Sequence, residues 1–95
     1  MKPLPIRLRR NGFNYTLVLR GSRSCIYEQE VSKNQKHYEV FLIKIKPERF
    51  FHNKILVAAE RFPHSEAFGK WAWSFWTKEE AFEKFEKLES HSKDD

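Results

Sequence analysis

Leu4-Pro5-Ile6-Arg7-Leu8-Arg9-Arg10-Asn11-Gly12-Phe13-Asn14-Tyr15-Thr16-Leu17-Val18-Leu19-Arg20 is the stretch that decides the fold. Asn11-Gly12 is the strongest two-residue hairpin signal, because a type I′ turn needs positive φ at both central residues and these two types adopt it most readily. A two-residue turn pairs Arg10 with Phe13, Leu8 with Tyr15, Ile6 with Leu17 and Leu4 with Leu19, which makes one face apolar. The other face receives Arg9 opposite Asn14, Arg7 opposite Thr16 and Pro5 opposite Val18, and Arg7, Arg9 and Arg20 all point away from the apolar side. Turn chemistry and alternation give the same register independently.

Outward from this hairpin, Gly21-Ser22-Arg23 reads as the next turn and 24–31 as a third strand. Its Cys25, Tyr27 and Val31 lie on one side, and Ile26, Glu28 and Glu30 on the other. A polar loop over 32–36 leads into a long strand over 37–46. That strand is apolar on both sides, with Tyr38, Val40 and Leu42 facing one way and Phe41, Ile43 and Ile45 the other, as expected of a central strand covered on both faces. Residues 47–70 are the least regular; 54–61 fits a short helix or a short strand, with strand or extended loop favoured, and Phe68-Gly69 reads as a turn. The segment 70–76 is a strand carrying Trp71, Trp73 and Phe75 on one side.

A helix follows at once. Thr77 is its N-cap, Glu80 completes a capping box, and Ala81, Phe82, Phe85 and Leu88 form an apolar stripe at helical spacing. Glu80–Lys84 and Glu83–Lys87 are spaced for i,i+4 ion pairs on its solvent side. The whole reads as one α+β domain over 1–95: a two-layer structure with an antiparallel sheet of four to five strands against one C-terminal helix. The tail 90–95 is expected to fray.

Charge is divided unevenly along the chain. Residues 1–76 carry 14 Lys/Arg against 6 Glu, a balance of +8, and residues 77–95 carry 4 Lys against 7 acids, a balance of −3. A basic body suits a polyanionic partner. Cys25 is the single cysteine, so neither an intramolecular disulfide nor a cysteine-based zinc site can form. No signal peptide or membrane-spanning run is legible, and a reducing cytoplasm is the expected location.

Catalytic constellations are hard to assemble from these residues. His37, His52, His64 and His91 have no helical i,i+3 or i,i+4 spacing, and Asp occurs only at Asp94 and Asp95. Glu28, Glu30 and Glu39 are the one carboxylate group that neighbouring strands could bring together. Cys25 reads as a buried strand cysteine, and three glycines are too few for a phosphate-cradling loop. The expectation is therefore a protein that is not an enzyme, with no catalytic residue, no metal site and no cofactor. What remains is basic residues interleaved with aromatics, the composition with which single-stranded DNA or RNA is held: cations for phosphate, π-faces for bases. Arg7, Arg9, Arg20, Lys44 and Lys46 are the expected phosphate contacts, with Tyr38 and Trp76 as stacking residues. The alternative is a protein-interaction module or homodimer, formed through a strand edge or through Phe50, Phe51, Ile55, Leu56 and Phe62 of the 47–70 segment.

Tyr27-Glu28-Gln29, Tyr38-Glu39-Val40-Phe41, Phe68-Gly69, Trp71-Ala72-Trp73 and the Thr77…Glu80-Ala81…Phe85 pattern span most of residues 13–89. In these words the chain resembles a loose set of small proteins of bacteria and their phages to which no activity is attached. The resemblance implies a bacterial or phage setting. The order of strands followed by one helix is also similar, at the level of fold alone, to Pur-type sheet-plus-helix binders of single strands.

Overall fold

The computed structural model describes residues 1–90, and the part of the expected tail beyond Ser90, with His91, Asp94 and Asp95, lies outside the described residues. The chain forms an α+β domain in which a five-stranded antiparallel sheet packs against one helix. Strands β1 (Arg7–Arg10), β2 (Phe13–Arg20), β3 (Ser24–Ser32) and β4 (Gln35–Leu42) follow one another in sequence and in space. Four short strands come next: β5 (Ile45–Lys46), β6 (Arg49–Phe51), β7 (Lys54–Leu56) and β8 (Ala59–Glu60). Strand β9 (Ala72–Phe75) then returns to pair with β4 as the outer strand of the main sheet, and helix α1 (Lys78–Ser90) follows as the last element among the described residues.

The first hairpin has the expected register, with Leu8 opposite Tyr15 and Arg10 opposite Phe13, and Asn11 and Gly12 both at positive φ. It stops short of Leu4. Pro5 has no N–H to give to a ladder, and the Leu4 N–H is instead donated to Glu60 over 2.8 Å. The expected pairing of Leu4 with Leu19 fails for a second reason, a bulge between Leu17 and Leu19. The extra residue reverses the alternation, so that Leu17 packs in one core and Leu19 in the other.

The two cores lie on opposite faces of the sheet. On the helix face Ile26, Tyr38, Val40 and Phe75 meet Ala81, Phe85 and Leu88 of α1. On the far face Tyr15, Cys25, Tyr27 and Phe41 are covered by Leu4, Ala67, Phe62 and Trp71 from the N-terminus and the long connection. The Phe62 ring stands edge-on to Tyr15, Tyr27 and Phe41 at 5.1 to 5.3 Å, a geometry that aromatic rings favour. Strand β4 is thus covered on both sides as its sequence implied, but it ends at Leu42 instead of running to Lys46. Trp71 also departs from expectation. It precedes β9 and packs on the far face, whereas Trp73 and Phe75 pair with Val40 and Tyr38 on the helix face.

Two devices hold the helix. Thr77 Oγ1 accepts from the Glu80 N–H and donates to the Glu80 carboxylate, closing the expected capping box through its hydroxyl. At the other end Glu89 is clasped by the β2–β3 turn: the backbone N–H groups of Ser22, Arg23 and Ser24 and both serine hydroxyls donate to its carboxylate over 2.6 to 3.0 Å. Gly21 is needed beside it, because a Cβ there would lie 2.5 Å from the Glu89 carboxyl carbon. The expected Glu80–Lys84 pair is replaced by a different contact, since Lys84 Nζ sits 3.9 Å above the Trp73 ring.

Residues 47–70 are more regular than the sequence implied. β6 and β7 form a hairpin around His52-Asn53, both at positive φ. The β5–β8 pair closes the base of this arm through Ile45 opposite Glu60 and Lys46 opposite Ala59. No helix among the described residues is long and apolar enough to cross a membrane.

Candidate functional site

Three depressions run in series from the arm to the far face of the sheet. The first is lined by Lys2, Lys46, Arg49, Leu56 and Val57. The second shares Lys46 and adds Arg61, Phe62, His64 and Arg10. The third shares Arg10, Phe62 and His64 and ends at Tyr15, Phe68 and Glu39, enclosing about 430 Å³, within the range of small-ligand pockets. These neighbouring depressions, which share lining residues and are called the channel below, bring Lys2, Arg49, Lys46, Arg61 and Arg10 into one row ending near the Glu39 carboxyl.

Glu39 is placed there by strand alternation. It lies on β4 between His37 and Phe41 in the far-face row, with Ser74 opposite on β9. The residue is 8% exposed. Among the described residues no hydrogen bond or ion pair reaches its carboxyl, and burial, offset in part by Arg10, raises its pKa to about 7. Beside it runs a polar row: Gln29 donates to the Tyr15 hydroxyl over 2.9 Å, and the Gln29 carbonyl meets His37 Nδ1 at 3.2 Å. His37 lies against Trp76 with ring centres 4.5 Å apart, and burial lowers its pKa, keeping the imidazole neutral near pH 7. Arg10 lies over the Phe62 ring at 5.3 Å and faces Glu39 without pairing to it.

The sequence-nominated residues divide sharply. Lys46 lies in the channel and Lys44 is exposed near the base of the arm. Arg7 and Arg9 are exposed, but on the helix face, where Arg9 bonds Asn14 and Arg7 shares a depression with Glu30. Arg20 does not project away from the core as expected. The bulge at Val18 turns it to the far face, where it forms a two-point ion pair with Glu60 at 2.6 and 2.7 Å. Two of its N–H donors are thereby withdrawn from any phosphate. Tyr38 is likewise withdrawn: it is 8% exposed, packed under the helix, with its hydroxyl on Glu28. Trp76, at 59%, does present a ring to solvent.

One further group corrects the sequence reading, and Cys25 bears it out. Glu39 lies on the opposite face from Glu28 and Glu30, because it alternates with Tyr38, which bonds Glu28; the three carboxylates form no cluster. Cys25 is fully buried, and burial pushes its thiol up to about 12, so it is unreactive at neutral pH. Among the described residues no three His, Cys, Asp or Glu side chains gather as metal ligands would.

The arm carries what sequence reasoning placed only loosely. Phe50, Phe51 and Ile55 are exposed, Phe50 at 70% and Ile55 at 65%, whereas Phe62 belongs to the core. Arg49 lies over the Phe51 ring at 5.5 Å. Asn53 next to His52 was the available turn signal, since Asn tolerates positive φ better than most residues.

No family model, curated protein or solved structure matches this chain. What it does has to be read from its own residues.

Proposed function

We propose that the chain is a non-enzymatic module that binds single-stranded nucleic acid along the channel from the arm to the far face of the sheet. The observation that carries this reading is the row of Lys2, Arg49, Lys46, Arg61 and Arg10 in depressions that share lining residues, with the exposed ring of Phe51 beside Arg49. Glu60, the one acid in the middle depression, is neutralised by Arg20. A flexible strand needs cations spaced along a groove and aromatic faces for its bases. Arg7 and Arg9 have no part in it, because they lie on the other face beside Glu28 and Glu30.

Anisotropy titration with labelled oligo(dT) and oligo(U) at low and moderate salt tests the reading. Lys46→Glu/Arg49→Glu should weaken binding by roughly tenfold or more and flatten the salt dependence, as loss of phosphate contacts does. Arg7→Glu/Arg9→Glu should change affinity by far less. Equal effects of the two pairs would count against the channel, and no binding at any salt against the whole reading.

A second reading has its own support. Phe50, Ile55 and Val57 are apolar side chains that remain at least 60% exposed on one projecting hairpin, as an interface with a second copy of the chain would require. Sedimentation across micromolar concentrations separates the two: a monomer that binds oligonucleotides supports the first, and a dimer abolished by Phe50→Ser/Ile55→Ser supports the second.

A further inference from the structure

The far end of the channel is built differently from the rest of it. Elsewhere cations predominate, whereas here Glu39, a residue only 8% exposed, turns into the depression a carboxyl group that no protein donor reaches. A carboxylate set back from the surface and given no protein donor takes its hydrogen bonds from whatever fills the depression. Opposite stands the Arg10 guanidinium, near enough to act on Glu39 electrostatically but not paired with it. The remaining lining is Tyr15, Phe62, Phe68 and Pro63 together with the polar Asn11, His64 and Ser65.

A ligand that completes this cavity must offer adjacent donors to a carboxylate, acceptors to a guanidinium and a flat apolar body to the rings. Ionised Glu39 only accepts, through two oxygens; Arg10 only donates, through a planar fork. Among the four common bases guanine alone places two neighbouring N–H donors, N1–H and N2–H, beside acceptors O6 and N7 on the same rim. Adenine would turn the acceptor N1 towards the carboxylate, uracil has a single N–H between two carbonyls, and cytosine has one amino group beside an acceptor nitrogen.

We propose that the Glu39 cavity holds a guanine base, with Glu39 accepting from N1–H and N2–H and Arg10 donating to O6 and N7. This rests on the nucleic-acid reading for its source, a base turned out of a bound strand into the cavity. The recognition chemistry is the same for a free guanine nucleotide. Glu39 and Arg10 are then specificity determinants, and the cations of the channel supply affinity that is blind to sequence.

The test titrates the folded chain at pH 8 with GMP, AMP, CMP and UMP by NMR, and in parallel with oligo(dT) and with oligo(dT) carrying one central guanine. GMP should bind roughly tenfold or more tightly than the other nucleotides, the discrimination expected of one bidentate pair. Signals of Tyr15, Phe68 and Glu39 should move. Glu39→Gln turns an amide donor towards guanine's donors and should abolish the preference without weakening oligo(dT) binding, since it removes a negative charge; Arg10→Gln should reduce the preference from the other side. Indifference among the nucleotides, or a preference that survives in Glu39→Gln, would overturn the proposal. Oligo(dT) binding with no added affinity for the guanine-bearing oligonucleotide and no GMP preference removes the base pocket and leaves the channel. GMP preference without oligonucleotide binding keeps the pocket and removes the strand.

Discussion

Glu89 and Glu39 are displaced in opposite directions by their surroundings. Burial alone would raise the Glu89 pKa, but donation from Ser24, Arg23 and Ser22 outweighs it and holds the carboxyl at about 2. A carboxylate with a depressed folded pKa stabilises the fold above its unfolded value, and that contribution is lost as pH falls from about 4.5 towards 2. Glu89→Ala should therefore lower stability by about 2 kcal/mol at pH 7, with three N–H groups losing their acceptor, and urea titrations should show the difference from wild type shrinking as pH falls from about 4.5 towards 2. Glu39 acts in the reverse sense. Its pKa, raised to about 7, means that ionising it opposes folding, with no penalty below about pH 4.5 and the full penalty above pH 7. Glu39→Gln should accordingly raise the melting temperature at pH 8 and leave it unchanged at pH 4. A more stable protein that has lost its base preference is the pattern expected when stability has been conceded at a binding site.

At the scale of elements, alternation and capping were legible and irregularity was not. The hairpin about Asn11-Gly12, the two faces of β3 and the helix from Thr77 could all be read because local chemistry and period agree. The bulge between Leu17 and Leu19 could not, since Leu17-Val18-Leu19 is apolar throughout and gives no sign of which residue is the extra one. That single irregularity sent Arg20 to the wrong face in the sequence reading. The arm was obscured in a different way: its turn is His52-Asn53, with no glycine, and Pro47 stands just before its first strand. Glu39 was visible as a strand residue, but the cavity around it draws on β1, β2, β4 and the 62–68 segment, a juxtaposition no local pattern encodes. For the helix the expectation is simple. Thr77→Ala removes the hydroxyl that accepts from the Glu80 N–H and should cost about 1 kcal/mol by thermal or urea unfolding.

The molecule as a whole is a meander of four strands, an excursion, and a returning strand with its helix. Because β5 and β8 close the base of the arm, the arm should be removable. Replacing residues 47–57 by Asn-Gly leaves a three-residue connection with Ala58 across the Lys46–Ala59 pair. The shortened chain should melt cooperatively with stability within about 1 kcal/mol of the parent, since loop length weighs little in folding free energy. It should also lose much of its affinity for oligonucleotides along with Arg49, Phe50 and Phe51. The order of the elements has another consequence, which belongs to synthesis. Strands β1 to β4 can pair as each leaves the ribosome, neighbour after neighbour. The helix that covers Ile26, Val40 and Phe75 is made after every strand it protects. Until then the nascent sheet presents an apolar face with nothing upon it, and a chain stalled before Lys78 is one that chaperones should find first.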